Sequence, residues 1–336
     1  MRSLFLLLTV LIIVSCNNGI SEKVVAGEAL GTTYRIIYFS EDEFPMEQGL
    51  DSIFGAINQS MSTYRDTSDI SRINRGETNI RVDSMFQKVF MLSQQVNKET
   101  GGYFDPTVGD LVNMYGFGPE KGLILIDSSR VDSLMAFVGL EKVRITPEGR
   151  VEKEYPEVFL DFNAIAKGYT VDVIGGYLRA KGVENFLIEV GGELLAKGEN
   201  LSKEASWTVG IDDPQQLEGA RTLKAAIALN NRAMATSGNY RKFRKDSLSG
   251  RKYVHTINPL TGYPEESILL SATVLAETCA LADAYATSFM AMGLQRSKHL
   301  LSDLPKVDAY LVYSEPDGSI SEFTTAGFKE VIIEEF

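Results

Sequence analysis

The stretch "CALADAYATSFMAMG" (Cys279–Gly293) sets an aspartate among small and apolar residues. A carboxylate is costly to bury unless something pairs with it. On a helix, Asp283 and Thr287 fall at i and i+4 on one face, and Ala282, Ala284 and Ala286 beside them allow a close approach. One carboxylate and one hydroxyl are a thin ligand set for calcium. They suit magnesium, which fills its remaining positions with water and substrate phosphates. A small-residue helix contact, with Asp283 bonded to a hydroxyl or backbone group, satisfies the same pattern.

Five other segments hold polar residues in glycine-rich or apolar settings. In "DFNAIAKGYTVD", Asp161 follows a strand-like run, Asn163 is a good helix cap, and Lys167 sits just inside a helix start, where anions are favoured. "GGYFDPTVGDLVNMYGFG" surrounds Asp105 with aromatics and glycines, as a loop wrapping a flat ligand or as an ordinary surface loop. "EVGGEL" places a glycine pair after an apolar run, where a ligand can pass close to backbone. "ATSGNYRKF" is the fourth, and "HTINPLTGYP" fixes His255 ahead of an Asn-Pro and a Thr-Gly turn. The other histidine, His299, lies in an amphipathic stretch and reads as surface. The chain has no HExxH, CxxC, GxSxG, GxxxxGK[ST] or GxGxxG, which argues against zinc chemistry and the usual nucleotide-binding loops.

The elements that must position these residues alternate between helix and strand. Leu50, Ile53, Phe54, Ile57 and Met61 recur at helical spacing over Met46–Met61. Asp83 caps a second predicted helix, Ser84–Glu99, and Gly101-Gly102 stops it. A third runs Asn163–Lys181, and a fourth runs from about Thr278 to Met292, where Gly293 ends it. Thr32–Phe39, Asn185–Val190, Ile268–Ala276, "AYLVYS" and "KEVIIEE" read as strands. With no repeat and no clear boundary, the expected fold class is α+β in one domain. The 336 residues are 44% apolar with a net charge of -12. No basic stripe occurs, so nucleic acid is not an expected partner.

Residues 1–15 read as a signal peptide: Arg2, an apolar run from Leu4 to Val14, then Ser15. That run is too short to span a membrane. Cys16 after "IVS" reads as a lipobox cysteine carrying acyl chains, or as a chance cysteine behind an ordinary signal. In the first reading residues 16–28 are a tether, residues 29–336 the catalytic domain, and Cys279 the remaining thiol.

"LGTTYRI", "MSTYRDTSDISRIN" and the segments above follow one another in an order that resembles the ApbE family of FAD:protein FMN transferases. The resemblance spans Gly31 to Gly293. It implies a single T-fold-like α+β domain with mixed sheets and flanking helices, often a periplasmic lipoprotein. It implies FAD as substrate, Mg2+ as cofactor, attack by an acceptor threonine on the FMN-side phosphorus, and release of AMP. Asp283 and Thr287 would ligate magnesium with the backbone carbonyls of Ala164 and Ala286. Leu30, Tyr64, Tyr103, Phe104, Asp105, Asp161, Lys167 and the backbone near Ile257 would contact FAD. His255 would be the base. Leu30 stands where the family often has methionine, Asn163 where it has a small residue, and Asn239 where it has aspartate. Implied acceptors are subunits of membrane redox complexes such as sodium-pumping NADH:quinone reductase, with the membrane reached through the lipid anchor. Two other readings stay open: a magnesium-dependent FAD pyrophosphatase, which would use the same metal site, and a periplasmic flavin-carrying lipoprotein without turnover.

Overall fold

An eight-stranded, wholly antiparallel sheet runs through the chain. Its strands, in spatial order and numbered along the chain, are β1 (Ser21–Ala29), β2 (Thr32–Ser40), β5 (Asn185–Val190), β6 (Glu193–Lys197), β9 (Ala233–Gly238), β12 (Leu269–Ala276), β13 (Asp308–Ser314) and β14 (Ile320–Thr324). A second sheet, ordered β15-β8-β7, joins β7 (Trp207–Asp212), β8 (Leu223–Leu229) and β15 (Ile332–Glu335). Two short ribbons pair β3 (Val143–Ile145) with β4 (Val151–Lys153) and β10 (Phe243–Lys245) with β11 (Lys252–Val254). The helices are α1 (Met46–Met61), α2 (Asp69–Asn74), α3 (Ser84–Glu99), α4 (Gly109–Met114), α5 (Ser128–Met135), α6 (Ala166–Ala180), α7 (Cys279–Asp303) and α8 (Ala326–Lys329). The computed structural model describes residues 19–119, 128–216, 221–238, 243–245, 252–254, 256–264 and 267–336. Among these, no helix is long and apolar enough to cross a membrane.

Strand alternation builds three layers. On β13, Ala309 and Leu311 pack with the helices, while Tyr310 and Val312 pack with Trp207, Ile227 and Phe328 of the second sheet and α8. Both faces of the large sheet are therefore covered, and α6 and α7 lie on the helical side. The α+β expectation holds.

Local signals set most boundaries. α1 buries Leu50, Phe54, Ile57 and Met61, the predicted stripe. Asp83 caps α3 by accepting from Phe86 N–H at 2.8 Å. Gly101 and Gly102 then take φ of 62° and 90°, which end it. Gly293, at φ 75° and ψ 172°, breaks α7 where the sequence predicts an end, but helical residues resume beyond it.

Three expectations are corrected. Residues 21–28, read as part of a tether ahead of the domain, form most of β1 and pair with β2. The third helix begins at Ala166, not Asn163: Asp161 Oδ1 accepts from Asn163 N–H at 2.7 Å, a local turn that competes with the helix. The segment 101–118 is not all loop, because α4 occupies Gly109–Met114.

Candidate active site

The first turns of α6 and α7 meet at Gly168. A side chain there would put Cβ 2.3 Å from the Cys279 carbonyl oxygen, so only glycine allows this approach. In an unbroken helix its N–H would donate four residues back, toward Ala164. It donates instead to Asp283 Oδ2 at 3.1 Å. Asp172, one turn on and on the same face, accepts from the N–H groups of Cys279 and Ala280 at 2.8 and 2.9 Å. α6 thus caps α7 and fixes where Asp283 stands.

Asp283 is 4% exposed. Burial pushes its carboxyl up, and the Lys167 charge and the Gly168 N–H oppose this. Lys167 forms an ion pair with Glu193, the first residue of β6. Burial works against the Lys167 ammonium, but Glu193 and Asp283 outweigh it and hold the lysine protonated above its usual range. Burial likewise pushes Glu193 up, against the pull of Lys167. Its Oε2 is buried with no hydrogen-bond partner. Asp172 is pushed up to about 6, chiefly by burial. Asp172, Glu193 and Asp283 therefore share one corner, with Lys167 beside Glu193 and Asp283 and the Arg179 charge acting on Asp172.

Thr287 lies one turn after Asp283, with its hydroxyl 3.2 Å from that of Ser237 on β9. Ala164 is in the turn leading into α6, and Ala286 is buried within α7. The structure thus brings together Asp283, Thr287 and Lys167, and adds Glu193, Ser237, Asp172 and Gly168. Among the described residues no three His, Cys, Asp or Glu side chains are grouped to hold a metal alone. The donors are nonetheless hard oxygens, they carry excess negative charge, and one carboxylate oxygen is unpartnered. That set fits a magnesium ion which draws most of its shell from carbonyls, water and substrate phosphate.

A neighbouring corner joins the turn after α1 to the turn before α6. Asn163 Nδ2 donates to Thr63 Oγ1 at 3.3 Å and to Asp161 Oδ2 at 3.1 Å. Asn163 thus braces Asp161, whose carboxyl burial pushes up. Tyr64 is 62% exposed; partial burial and the Asp161 charge raise its phenol. Leu30, half-buried, turns β1 into β2 with φ of 52°, which is rare for a branched residue.

The other predicted flavin contacts are placed differently. Phe104 is a core residue at 3% exposure. Asp105 accepts from Thr107 N–H, Thr107 Oγ1, Leu140 N–H and Asn97 Nδ2 at 2.8, 2.6, 3.0 and 3.3 Å. Both side chains help to build the loop. Ile257 buries its side chain with Leu111 and Val131, leaving its backbone bridged to Pro264. Tyr103 is half-buried beneath the Arg296 guanidinium at 5.6 Å. It lines a cleft of about 530 Å³ that Asp283, Thr287 and Lys167 do not reach. His299 is exposed, as expected. His255, Cys16 and Asn239 lie outside the described residues.

Glu193 and Ser237 stand inside the glycine-bearing segments "EVGGEL" and "ATSGNYRKF", where neither side chain has a motif of its own. The signal for Asp172 was its i,i+4 spacing from Gly168, which puts a small contact and a carboxylate on one helix face.

The ApbE family model matches residues 30–311. A Haemophilus influenzae protein named FAD:protein FMN transferase is 32% identical over 319 residues, 91% of this chain and 90% of its own. A Vibrio cholerae protein of the same name is 32% identical over 331 residues, 96% of each chain. The solved structure of the flavin transferase ApbE from Vibrio cholerae superposes with a TM-score of 0.81 at 31% identity, over 93% of this chain and 100% of that one. The Pseudomonas stutzeri flavinyl transferase ApbE gives 0.83 at 28% identity, over 94% and 98%. With family, relatives and fold in agreement along nearly the whole length, the chain belongs to the ApbE family.

Proposed function

We propose that this chain transfers FMN from FAD to a threonine hydroxyl of an acceptor protein in a magnesium-dependent reaction that releases AMP. The observation that carries this reading is the buried acidic corner at the α6–α7 contact, where Asp283 and Glu193 flank Lys167 and Asp172 adds a third carboxylate beside Asp283. Membership of a family whose relatives bear the name FAD:protein FMN transferase supports it.

Asp283 and Thr287, with the carbonyls of Ala164 and Ala286, would hold the ion. Magnesium bound there supplies charge that neutralises the diphosphate and steadies the departing oxygen. Lys167 adds positive charge to the same corner. Tyr64, exposed beside Asp161, offers an aromatic face for a flat ring, and Leu30 packs on the flavin. The threonine oxygen forms a bond to the FMN-side phosphorus, the bond from that phosphorus to the bridging oxygen breaks, and AMP leaves with that oxygen. His255 takes the threonine proton, as histidine titrates in the working range. The acceptors are flavoprotein subunits of membrane redox complexes such as sodium-pumping NADH:quinone reductase. Acylated Cys16 would tether the enzyme to the cell envelope, facing the periplasm.

The test incubates the full chain with FAD, Mg2+ and such a subunit, then weighs the acceptor. A gain of one FMN less water, lost on changing the acceptor threonine to alanine, is expected. Free FMN with an unmodified acceptor would favour the pyrophosphatase.

A further inference from the structure

Lys167 has two carboxylates to choose between. Its ammonium is paired with Glu193, on the strand that follows the Gly191-Gly192 turn, and its charge also acts on Asp283. Both carboxylates are buried, at 4% exposure each. Removing one partner of an ion pair at a buried carboxylate is costly, because the surviving charge is left uncompensated. Only Asp283 has a helical neighbour one turn on with an oxygen to add, Thr287.

We propose that Glu193 is a positioning residue that holds Lys167 away from Asp283, so that the Asp283 carboxylate stays open to a divalent cation. This rests on the magnesium reading above. Without Glu193 the lysine turns to the nearest remaining anion, Asp283, and neutralises it. A cation must then displace an ion pair that the wild-type chain never forms. Glu193 also adds its own negative charge to the corner, so the two effects must be separated. They differ in one respect: withholding the lysine matters only while the lysine is present, whereas through-space charge acts regardless.

The experiment measures Mn2+ binding by electron paramagnetic resonance on the full-length chain without FAD, so the readout does not depend on turnover. Four proteins are compared: wild type, Glu193→Gln, Lys167→Met, and the double variant. Circular dichroism confirms that each is folded. The expected result is that Glu193→Gln weakens Mn2+ binding about tenfold or more, the scale of one close charge pair in a partly screened site. In the Lys167→Met background the same substitution should change binding by less than about threefold, since the competitor is gone. An equal loss in both backgrounds overturns the proposal and leaves Glu193 as simple charge. No loss in either overturns it as well. Should Lys167→Met fail to fold, Glu193→Asp decides. It keeps the charge but draws it back by one methylene, so weaker Mn2+ binding supports positioning and wild-type binding overturns it. A wild-type chain that binds no Mn2+ removes both this inference and the metal part of the proposed function. Wild-type binding with an unaltered Glu193→Gln removes this inference alone.

Discussion

A single methyl group at Gly168 should damage both stability and cation binding. In Gly168→Ala the new Cβ would lie 2.3 Å from the Cys279 oxygen, 2.7 Å from its carbonyl carbon and 2.9 Å from Ala280 N. These are backbone atoms, and Asp172 holds the two amide groups of that turn at 2.8 and 2.9 Å, so they have little freedom to retreat. The helices must part. Overpacking of this kind costs about 1–3 kcal/mol. Parting them also breaks the 3.1 Å bond from Gly168 N–H to Asp283, worth about 1.5–3 kcal/mol for a charged acceptor. Alanine recovers about 1 kcal/mol of helix propensity. The net loss is about 1.5–5 kcal/mol, a large share of a domain's typical stability of about 5–15 kcal/mol. Urea unfolding followed by circular dichroism measures it. Gly55→Ala is the control: Gly55 sits in α1, and a Cβ added there would meet nothing within 4 Å, so that variant should gain about 0.5–1 kcal/mol. Mn2+ binding should weaken in Gly168→Ala and not in Gly55→Ala. If Gly168→Ala unfolds at the wild-type urea concentration, the close helix contact does not position Asp283 and the reasoning fails.

Asp105→Ala removes the acceptor shared by Thr107, Leu140 and Asn97 and should cost about 2–4 kcal/mol in urea unfolding, with two buried backbone donors stranded. Unchanged stability with lost FAD affinity would restore Asp105 as a ligand contact. Asp172 has its carboxyl raised from 3.8 to about 6, so between those values the folded chain holds a proton that the unfolded chain has released. Its contribution favours folding below pH 4 and declines as pH rises to 6, by about 3 kcal/mol in all. In Asp172→Asn this decline should be missing: the variant's unfolding free energy, relative to wild type, should improve from pH 4 to pH 7, and a constant difference would contradict the assignment. His255→Ala should keep FAD affinity, read by fluorescence quenching, and slow transfer about 10²–10⁴-fold, while His299→Ala, on the exposed face of α7, should transfer at the wild-type rate.

Much of the fold could be read locally. α1 lies within a window where one periodicity dominates, β5 is a short apolar run before a glycine pair, and α3 carries its own cap at Asp83 and its own stop at Gly101. The start of α6 escaped because Asp161 binds Asn163 N–H, so a residue that reads as a cap serves a turn instead. α4 was hidden by its glycine and its brevity. The second sheet pairs β8 with β15, more than a hundred residues apart, which no local pattern encodes. The candidate site divides in the same way. Asp283 and Thr287 share one helix face, so spacing alone relates them. Glu193 reaches Lys167 across 26 positions and Asp172 reaches Cys279 across 107, through the fold rather than the chain. Phe104 and Asp105 were placed on the ligand by their motif. In the fold Phe104 fills the core, and Asp105 ties the loop to Leu140.

The most direct measurement is a magnesium titration of acceptor flavinylation, scored by the intact mass of the acceptor, in wild type and in Asp283→Asn. Asparagine keeps the shape and the hydrogen-bond acceptor for Gly168 N–H but removes the charge that would draw the proposed cation. The expected result is saturable, magnesium-dependent addition of FMN by wild type, and an Asp283→Asn variant that folds yet transfers nothing at magnesium concentrations that saturate wild type. Equal transfer by the two proteins across the titration would contradict the placement of the reaction at Asp283.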